Sequence, residues 1–417
     1  MNKCIFYGAG DYAKDHFEDY LREHEPICFC DRRAVEGMEL CGLPVLPPSA
    51  CLEKYPDAPI LITVNPLETK PLVQEYLKCE LGIPAKRIIN WTGYDRSLSC
   101  GFLESSAYFH ENKCHMCCSP FMAERVPEAY FKANDTPQQK VDIFVNLRDS
   151  VRKALRTGEQ CACSDCPEIK EMWCLKEPQI TFIVPMFYNI CNLKCIYCNH
   201  IKNINNPDIS KPSEFDDIGF WPIFLELRSR KFINRDILVQ LAKGEITVHP
   251  KRKEILSSLN GFKTQILSNL VLWDEALEQH LSLGNSKVLC SVDAGTRETY
   301  ASIKGADYFH QVCENLKRVV KLSKLELKYI FMAGINDNDK DVEGFIRLAA
   351  EIRPNSVMLS RDYRDLSPLG DRVLDSMAKI ITAMNNLAIK ATTLGGNLSK
   401  NENERLALFL VEHCGSS

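Results

Sequence analysis

From residue 177 onward the sequence shows six short apolar runs, with stretches of helical spacing between most of them. The runs are "ITFIVPMFYN", "DILVQLAKGE", "KTQILSN", "KVLCSVDA", "LKYIFMAG" and "SVMLSRDY". Strands joined by such stretches do not form hairpins, because each helix carries the chain back and the next strand enters parallel to the last. The pattern over 177–395 predicts a parallel (β/α)6 sheet, curved as a partial barrel. In such sheets the chemistry gathers at the carboxyl ends of the strands. The first run leads into "FYNICNLKCIYCNH", which puts Cys191, Cys195 and Cys198 at that end with the spacing C-x3-C-x2-C.

Three thiols are one short of a closed metal site. In a cubane iron-sulfur cluster each iron normally takes one thiolate, so three cysteines leave one iron open. An open position marks a metal at which a small molecule binds and reacts. The spacing by itself also suits a zinc loop or part of a ferredoxin.

With Tyr197 just before the third cysteine, the loop resembles the signature of the radical S-adenosylmethionine (radical SAM) superfamily, and the resemblance extends over residues 177–365. It implies a 4Fe-4S cluster on Cys191, Cys195 and Cys198, with S-adenosyl-L-methionine on the open iron. The family cleaves that ligand to a 5'-deoxyadenosyl radical, which abstracts hydrogen from a substrate. Further residues are implied as contacts of S-adenosylmethionine. Gly244 and Glu245, after the second strand, resemble the glycine-glutamate motif that holds the methionine amino group. Ser268 and Asn269 follow the third strand, where family members touch ribose or carboxylate. "CSVDAGTRETYASIKG" resembles the serine-x-aspartate strand, which places Ser291 and Asp293 near ribose and substrate. Arg361, on the sixth strand, is expected either to reach a ligand carboxylate or to form a salt bridge at the rim. The chain departs from the pattern in "AKGEITVHP", where Lys243 stands in place of a second glycine and Ile246 in place of the proline after the glutamate; His249 there reads as structural.

Residues 1–92 alternate in the same way on a smaller scale: "CIFYGAG", "PICFCD", "LPVL", "APILITVN" and "KRIINW" are read as strands of a doubly wound, Rossmann-like parallel sheet. Gly8, Gly10 and Ala13 fit G-x-G-x-x-A after the first strand, and Asp31 ends the second. Gly8, Gly10 and Asp31 are thus candidates for holding a nucleotide, the glycines at the phosphates and the carboxylate at the ribose. The segment also resembles the N-terminal domain of bacterial nucleotide-sugar acyltransferases, which implies a nucleotide-sugar ligand. Equally, the glycines serve to shape a tight turn.

Residues 93–176 are read as a cysteine-rich metal-binding segment. The chain has 20 cysteines, and seven of them are Cys114, Cys117, Cys118, Cys161, Cys163, Cys166 and Cys174. In a reducing compartment such crowding favours metal over disulfides. "CHMCCSPF" and "CACSDCPEI" resemble part of the SPASM or twitch module, which implies an auxiliary iron-sulfur cluster. The preferred ligands are Cys114, Cys117, Cys163 and Cys166, with Cys118, Cys161 and Cys174 as alternatives; His115 reads as a solvated loop residue. Scattered thiols such as Cys4, Cys28, Cys30, Cys290 and Cys313 read as small buried hydrophobes. Residues 396–417 are expected to form an amphipathic helix and a tail without an assigned role.

A formal net charge of -4 gives no electrostatic reason to expect nucleic acid as a partner, and no run approaches a membrane span. A cytoplasmic enzyme of the oxidoreductase or epimerase type is expected, acting on a small-molecule, sugar or peptide substrate. Its reductant is expected to be a partner such as flavodoxin or ferredoxin. Oxidation or epimerisation of a sugar or glycan precursor is the leading reading. The alternatives are a SPASM-type peptide-modifying enzyme and a non-catalytic metal-binding redox scaffold.

Overall fold

The computed structural model of the chain describes residues 2–21, 24–64, 69–89, 94–110, 112–117, 126–175, 177–186, 191–198, 220–365, 367–393 and 398–414. The chain divides into two units, Met1–Cys100 with Pro167–Pro178 and Gly101–Cys166 with Gln179–Ser417. Residues 93–176 are divided between these two units. Their ends join the first unit and their middle joins the second.

In the first unit the parallel strands Leu43–Leu46, His24–Cys30, Asn2–Tyr7, Ile60–Ile62 and Ile88–Ile89 lie side by side in that order. Numbered along the chain this is 3-2-1-4-5, the order of a doubly wound sheet, which reverses beside its first strand. Alternation along Asn2–Tyr7 sends Ile5 and Tyr7 to one apolar layer and Cys4 and Phe6 to the other. Both faces are covered, which is why the run reads as continuously apolar. A separate antiparallel pair joins Tyr94–Ser99 to Lys170–Leu175.

The second unit is built on one sheet. Strands Ile180–Met186, Ile233–Leu241, Lys263–Leu267, Ser286–Ser291, Lys324–Phe331 and Ser356–Arg361 lie side by side, all parallel, in chain order. These are the six strands expected from the sequence. Two features were not expected. Lys390–Thr392 extends the far edge. Ser106–His110, from the cysteine-rich segment, pairs in parallel with the first strand, with His110 opposite Met186. The antiparallel strands Lys113–His115 and Glu128–Tyr130 continue outward from it.

The helix Pro137–Thr157 shows how locally the sequence specifies such elements. Thr136 and Gln139 form a reciprocal capping box, Pro137 opens the first turn, and Gly158 closes the helix at φ 74°. Tertiary packing decides other positions. A Cβ on Gly295 would lie 1.9 Å from the carbonyl oxygen of Asp341, and one on Gly344 would lie 2.1 Å from that of Gly295. Only a pair of glycines lets the helix Asp339–Ile352 touch the loop after the fourth strand.

Cys4, Cys28, Cys30 and Cys290 are buried as expected, whereas Cys313 is only half-buried. Among the described residues no helix is long and apolar enough to cross a membrane.

Candidate functional site

Residues 191–198 follow the first of the six strands and are held in place by residues far away in the sequence. The amides of Lys194 and Ile196 donate to the carbonyls of Lys304 and Ile303, at 3.2 and 2.9 Å. Those carbonyls are among the last of the helix Arg297–Lys304, which has no internal donors left for them. Gly305 takes the left-handed conformation directly against Lys194, where a Cβ would meet the Lys194 carbonyl oxygen at 3.0 Å. From the far side the Tyr363 hydroxyl approaches the Tyr197 carbonyl at 3.4 Å, and the Arg364 guanidinium donates to the Ile196 carbonyl.

The three thiols of this loop are free; Cys191 is exposed, and Cys195 and Cys198 are half-buried. Protein packed around the Cys191 sulfur, with the negative charges of Glu245, Cys195 and Cys198, pushes its thiol up to about 11 even though the residue reaches solvent. Burial also raises Cys195, while Lys304 opposes the shift. A cation bound among these thiols would favour their deprotonated forms. The donor set therefore fits a cluster bound through three thiolates. Among the described residues no group of three or more His, Cys, Asp or Glu side chains converges on a single ion.

The ends of the neighbouring strands meet this loop. Asn269 donates from Nδ2 to Asn192 Oδ1 at 2.7 Å and reaches the Cys191 sulfur at 3.7 Å. Its own amide donates to Glu245 Oε2 at 2.6 Å. Glu245 Oε1 accepts from the Ser268 hydroxyl and from the amide and hydroxyl of Thr247. Burial pushes the Glu245 carboxyl up, and these donors pull it back. Glu245 thus ties the second strand's end to the third, and its preceding Gly244 supplies the required positive φ of 68°. His249 is fully buried and accepts from the Lys251 amide, a structural placement as expected.

Asp293 differs from its expected place beside ribose and substrate. It is fully buried, with Oδ2 accepting from Lys304 Nζ at 2.5 Å and from the Tyr197 hydroxyl at 2.7 Å, and Oδ1 from the Ile330 amide at 2.8 Å. Its φ of 60° turns the chain under the loop. Tyr197 is likewise committed through its hydroxyl, and burial, followed by the Asp293 charge, keeps it protonated. Ser291 contributes its carbonyl, which accepts from Lys304 Nζ at 2.6 Å. Lys304 was not singled out from the sequence, because a lysine before a helix-ending glycine ordinarily reads as a solvated charge.

Arg361 takes the salt-bridge alternative. Its guanidinium pairs with Glu402 at 2.7 Å, with both side chains buried, and donates to the carbonyls of Asp365 and Ser367. It is withdrawn from any ligand carboxylate. The helix Lys400–Cys414, to which no role was given, supplies the partner.

The cysteine-rich residues are arranged differently. Cys114 lies fully buried in the strand Lys113–His115, and burial pushes its thiol up to about 12. Cys163 and Cys166 share a turn in which the Cys166 amide donates to the Cys163 carbonyl, and Ser164 bonds to Cys161. Cys117 is half-buried. Cys174 belongs to the other unit, where its sulfur accepts from Ser97 at 3.3 Å. Cys118 lies outside the described residues. His115, expected in solvent, is buried: its ring stacks on Tyr108 and its Nε2 meets that of His110 at 2.8 Å.

In the first unit, Gly8 (φ 111°) is required by the fold itself, since a Cβ there would stand 2.4 Å from Val64 Cγ1 and 3.2 Å from the Thr63 carbonyl oxygen. Gly10 is extended and opens a helix, Asp11–Asp15, of little more than one turn. Asp31, expected at a ribose, accepts instead from the Ala9 amide at 2.9 Å and from the amide and guanidinium of Arg33.

Residues 186–349 match the family model of the Radical SAM superfamily. Among curated proteins, a probable GTP 3',8-cyclase of Pyrococcus abyssi is 27% identical over 165 residues, which is 39% of this chain and 50% of that one. A GTP 3',8-cyclase of Mannheimia succiniciproducens is 28% identical over 165 residues, 37% of this chain and 45% of that one. The chain thus spans about half the length of the curated relatives it matches. Among solved structures, Streptococcus suis SuiB bound to S-adenosylmethionine overlaps 64% of this chain and 55% of its own, with 12% identity and a TM-score of 0.41. The three-cysteine loop and the strand ends from Gly244 to Asp293 lie within the stretch that matches the Radical SAM superfamily, a family whose cofactors are a 4Fe-4S cluster and S-adenosylmethionine.

Proposed function

We propose that the chain is a radical SAM enzyme built on a partial (β/α)6 barrel, with Cys191, Cys195 and Cys198 as ligands of its catalytic cluster. The observation that carries this reading is the meeting of four strand ends at one loop: free thiols after the first strand, Glu245 after the second, Asn269 after the third, Asp293 after the fourth. When bound, the cluster supplies the electron for reductive cleavage of S-adenosylmethionine, and the resulting radical chemistry abstracts hydrogen from the substrate. The chain's own residues position. Asn269 orients the start of the loop through Asn192, Glu245 fixes Ser268 and Asn269 as a wall, and Lys304 with Asp293 anchors Tyr197. Gly244, at the same edge, offers backbone to S-adenosylmethionine.

An auxiliary cluster on Cys114, Cys117, Cys163 and Cys166 would accept the electron left on an oxidised substrate. Support for it is the clustering of thiols in one segment; its SPASM likeness is part of this reading. A sugar or glycan precursor is favoured as substrate by the 3-2-1-4-5 strand order of the first unit, which suits a nucleotide-linked ligand. The names of the relatives, GTP 3',8-cyclases, point to nucleotide chemistry as well. A flavodoxin- or ferredoxin-like protein is the reductant in this reading.

The test is anaerobic reconstitution with iron and sulfide, followed by reduction with S-adenosylmethionine present. 5'-Deoxyadenosine is expected from the wild-type chain and none from Cys198→Ala. A fully loaded wild-type chain that forms none sinks the enzyme reading and leaves the redox scaffold.

A further inference from the structure

We propose that Lys304 is a positioning residue for the three-cysteine site, whose buried ammonium locks the loop through Tyr197 and favours electron uptake by the cluster bound there. The inference rests on the cluster assignment above.

Lys304 is 2% exposed, and its ammonium has three donors. All are used: on Tyr197 Oη at 2.7 Å, on the Ser291 carbonyl at 2.6 Å and on Asp293 Oδ2 at 2.5 Å. The same ammonium lies 5.0 Å from the centroid of the Tyr197 ring. Tyr197 stands between Cys195 and Cys198, and the backbone carbonyls of Ile303 and Lys304 hold the amides of Ile196 and Lys194. One helix end thus fixes the loop twice, by main chain and by side chain.

Burying an ammonium carries a desolvation penalty that its partner must offset, and apolar packing would often hold a loop as well. A neutral side chain of similar length would fill the same space, so the charge itself calls for a use. The cluster offers one. Three thiolates make it anionic, and one-electron reduction, with the electron supplied by an external low-potential donor and no bond made or broken, adds a further negative charge. A nearby cation stabilises the reduced form more than the oxidised one. Asp293 offsets part of that field. Its carboxylate also accepts from Tyr197 and Ile330, however, whereas the Lys304 ammonium lies against the ring of Tyr197, in the cysteine loop itself.

The experiment is a dithionite potentiometric titration followed by electron paramagnetic resonance on reconstituted wild-type, K304M, K304R and D293N chains, each with its iron-to-protein ratio measured. K304M is expected to take up an electron about tenfold less readily, a fall of ~59 mV in midpoint. K304R stays near wild type, and D293N moves the opposite way, because it removes the offsetting negative charge. Loosening of the loop alone would move K304M and D293N in the same direction. Shifts of the same sign, or no shift in K304M at equal iron loading, overturn the inference. Should K304M take no iron, loading becomes the readout: rescue by K304R supports a requirement for the charge, and an equally empty K304R overturns it. A wild-type chain that binds no cluster fails the underlying assignment, which separates that outcome from failure of the role of Lys304.

Discussion

The carboxyl edges of the two parallel sheets each carry a buried carboxylate, Asp31 in the first unit and Asp293 in the second. Both spend their oxygens on protein donors. Asp31 does so locally on one side, through Arg33 two residues away, and across one strand to Ala9. Asp293 reaches Tyr197, 96 residues away, and Ile330, 37 residues away. A carboxylate satisfied mainly by its own turn defines that turn. One satisfied by three distant segments sets their mutual geometry, and geometry between strand ends is what a reaction site requires.

The sharpest way to break this contrast is one substitution made at both edges. Gly295→Ala should destabilise the chain by about 3 kcal/mol or more, because its Cβ would meet the backbone of the helix Asp339–Ile352. Gly10→Ala should be neutral or slightly stabilising, since Gly10 is extended and its Cβ would meet only the end of the Arg33 side chain at 3.5 Å. Urea midpoints compare the two, and equal losses would erase the distinction.

Next in size is Arg361→Met, which leaves Glu402 buried without its cation. A loss of about 3 kcal/mol is expected, to be measured by denaturant unfolding. Because Arg361 faces the protein, binding of S-adenosylmethionine by the folded, reconstituted variant should stay close to wild type. A large loss of that binding would return Arg361 to the ligand.

The smallest effect belongs to Asp31. Burial alone would raise its carboxyl, but the Arg33 side chain and the amides of Ala9 and Arg33 hold it below the usual carboxylate range. A depressed native value contributes stability that is fully present above the unfolded value of about 3.9 and is lost as the pH falls through the native one. Asp31→Asn should cost about 1 kcal/mol at neutral pH, with most of it from the backbone donors because Arg33 is exposed. The gap from wild type should close below about pH 4. A gap that is constant with pH would point to packing.

The sequence made the six parallel strands legible because each is an apolar run bounded by a helix, a local signal. The three-cysteine loop was legible for the same reason, its spacing lying within eight residues. Long-range partners were not. Nothing around Lys304 announces a burial that depends on Tyr197, and Arg361 meets a carboxylate 41 residues further on. The strand Ser106–His110 looked like part of a metal segment, because thiols nearby drew attention from a five-residue run whose role is set by pairing with Ile180–Met186. His115 looked solvated because its polar neighbours hide the stacking on Tyr108.

The seat of the cysteine loop also fixes a timetable. Tyr197 leaves the ribosome 107 residues before the lysine that anchors it, a delay of roughly 5–20 s at typical elongation rates. Through that interval the loop lacks the ammonium that holds it. The loop therefore reaches its final mount only after the fourth strand and its helix have been made.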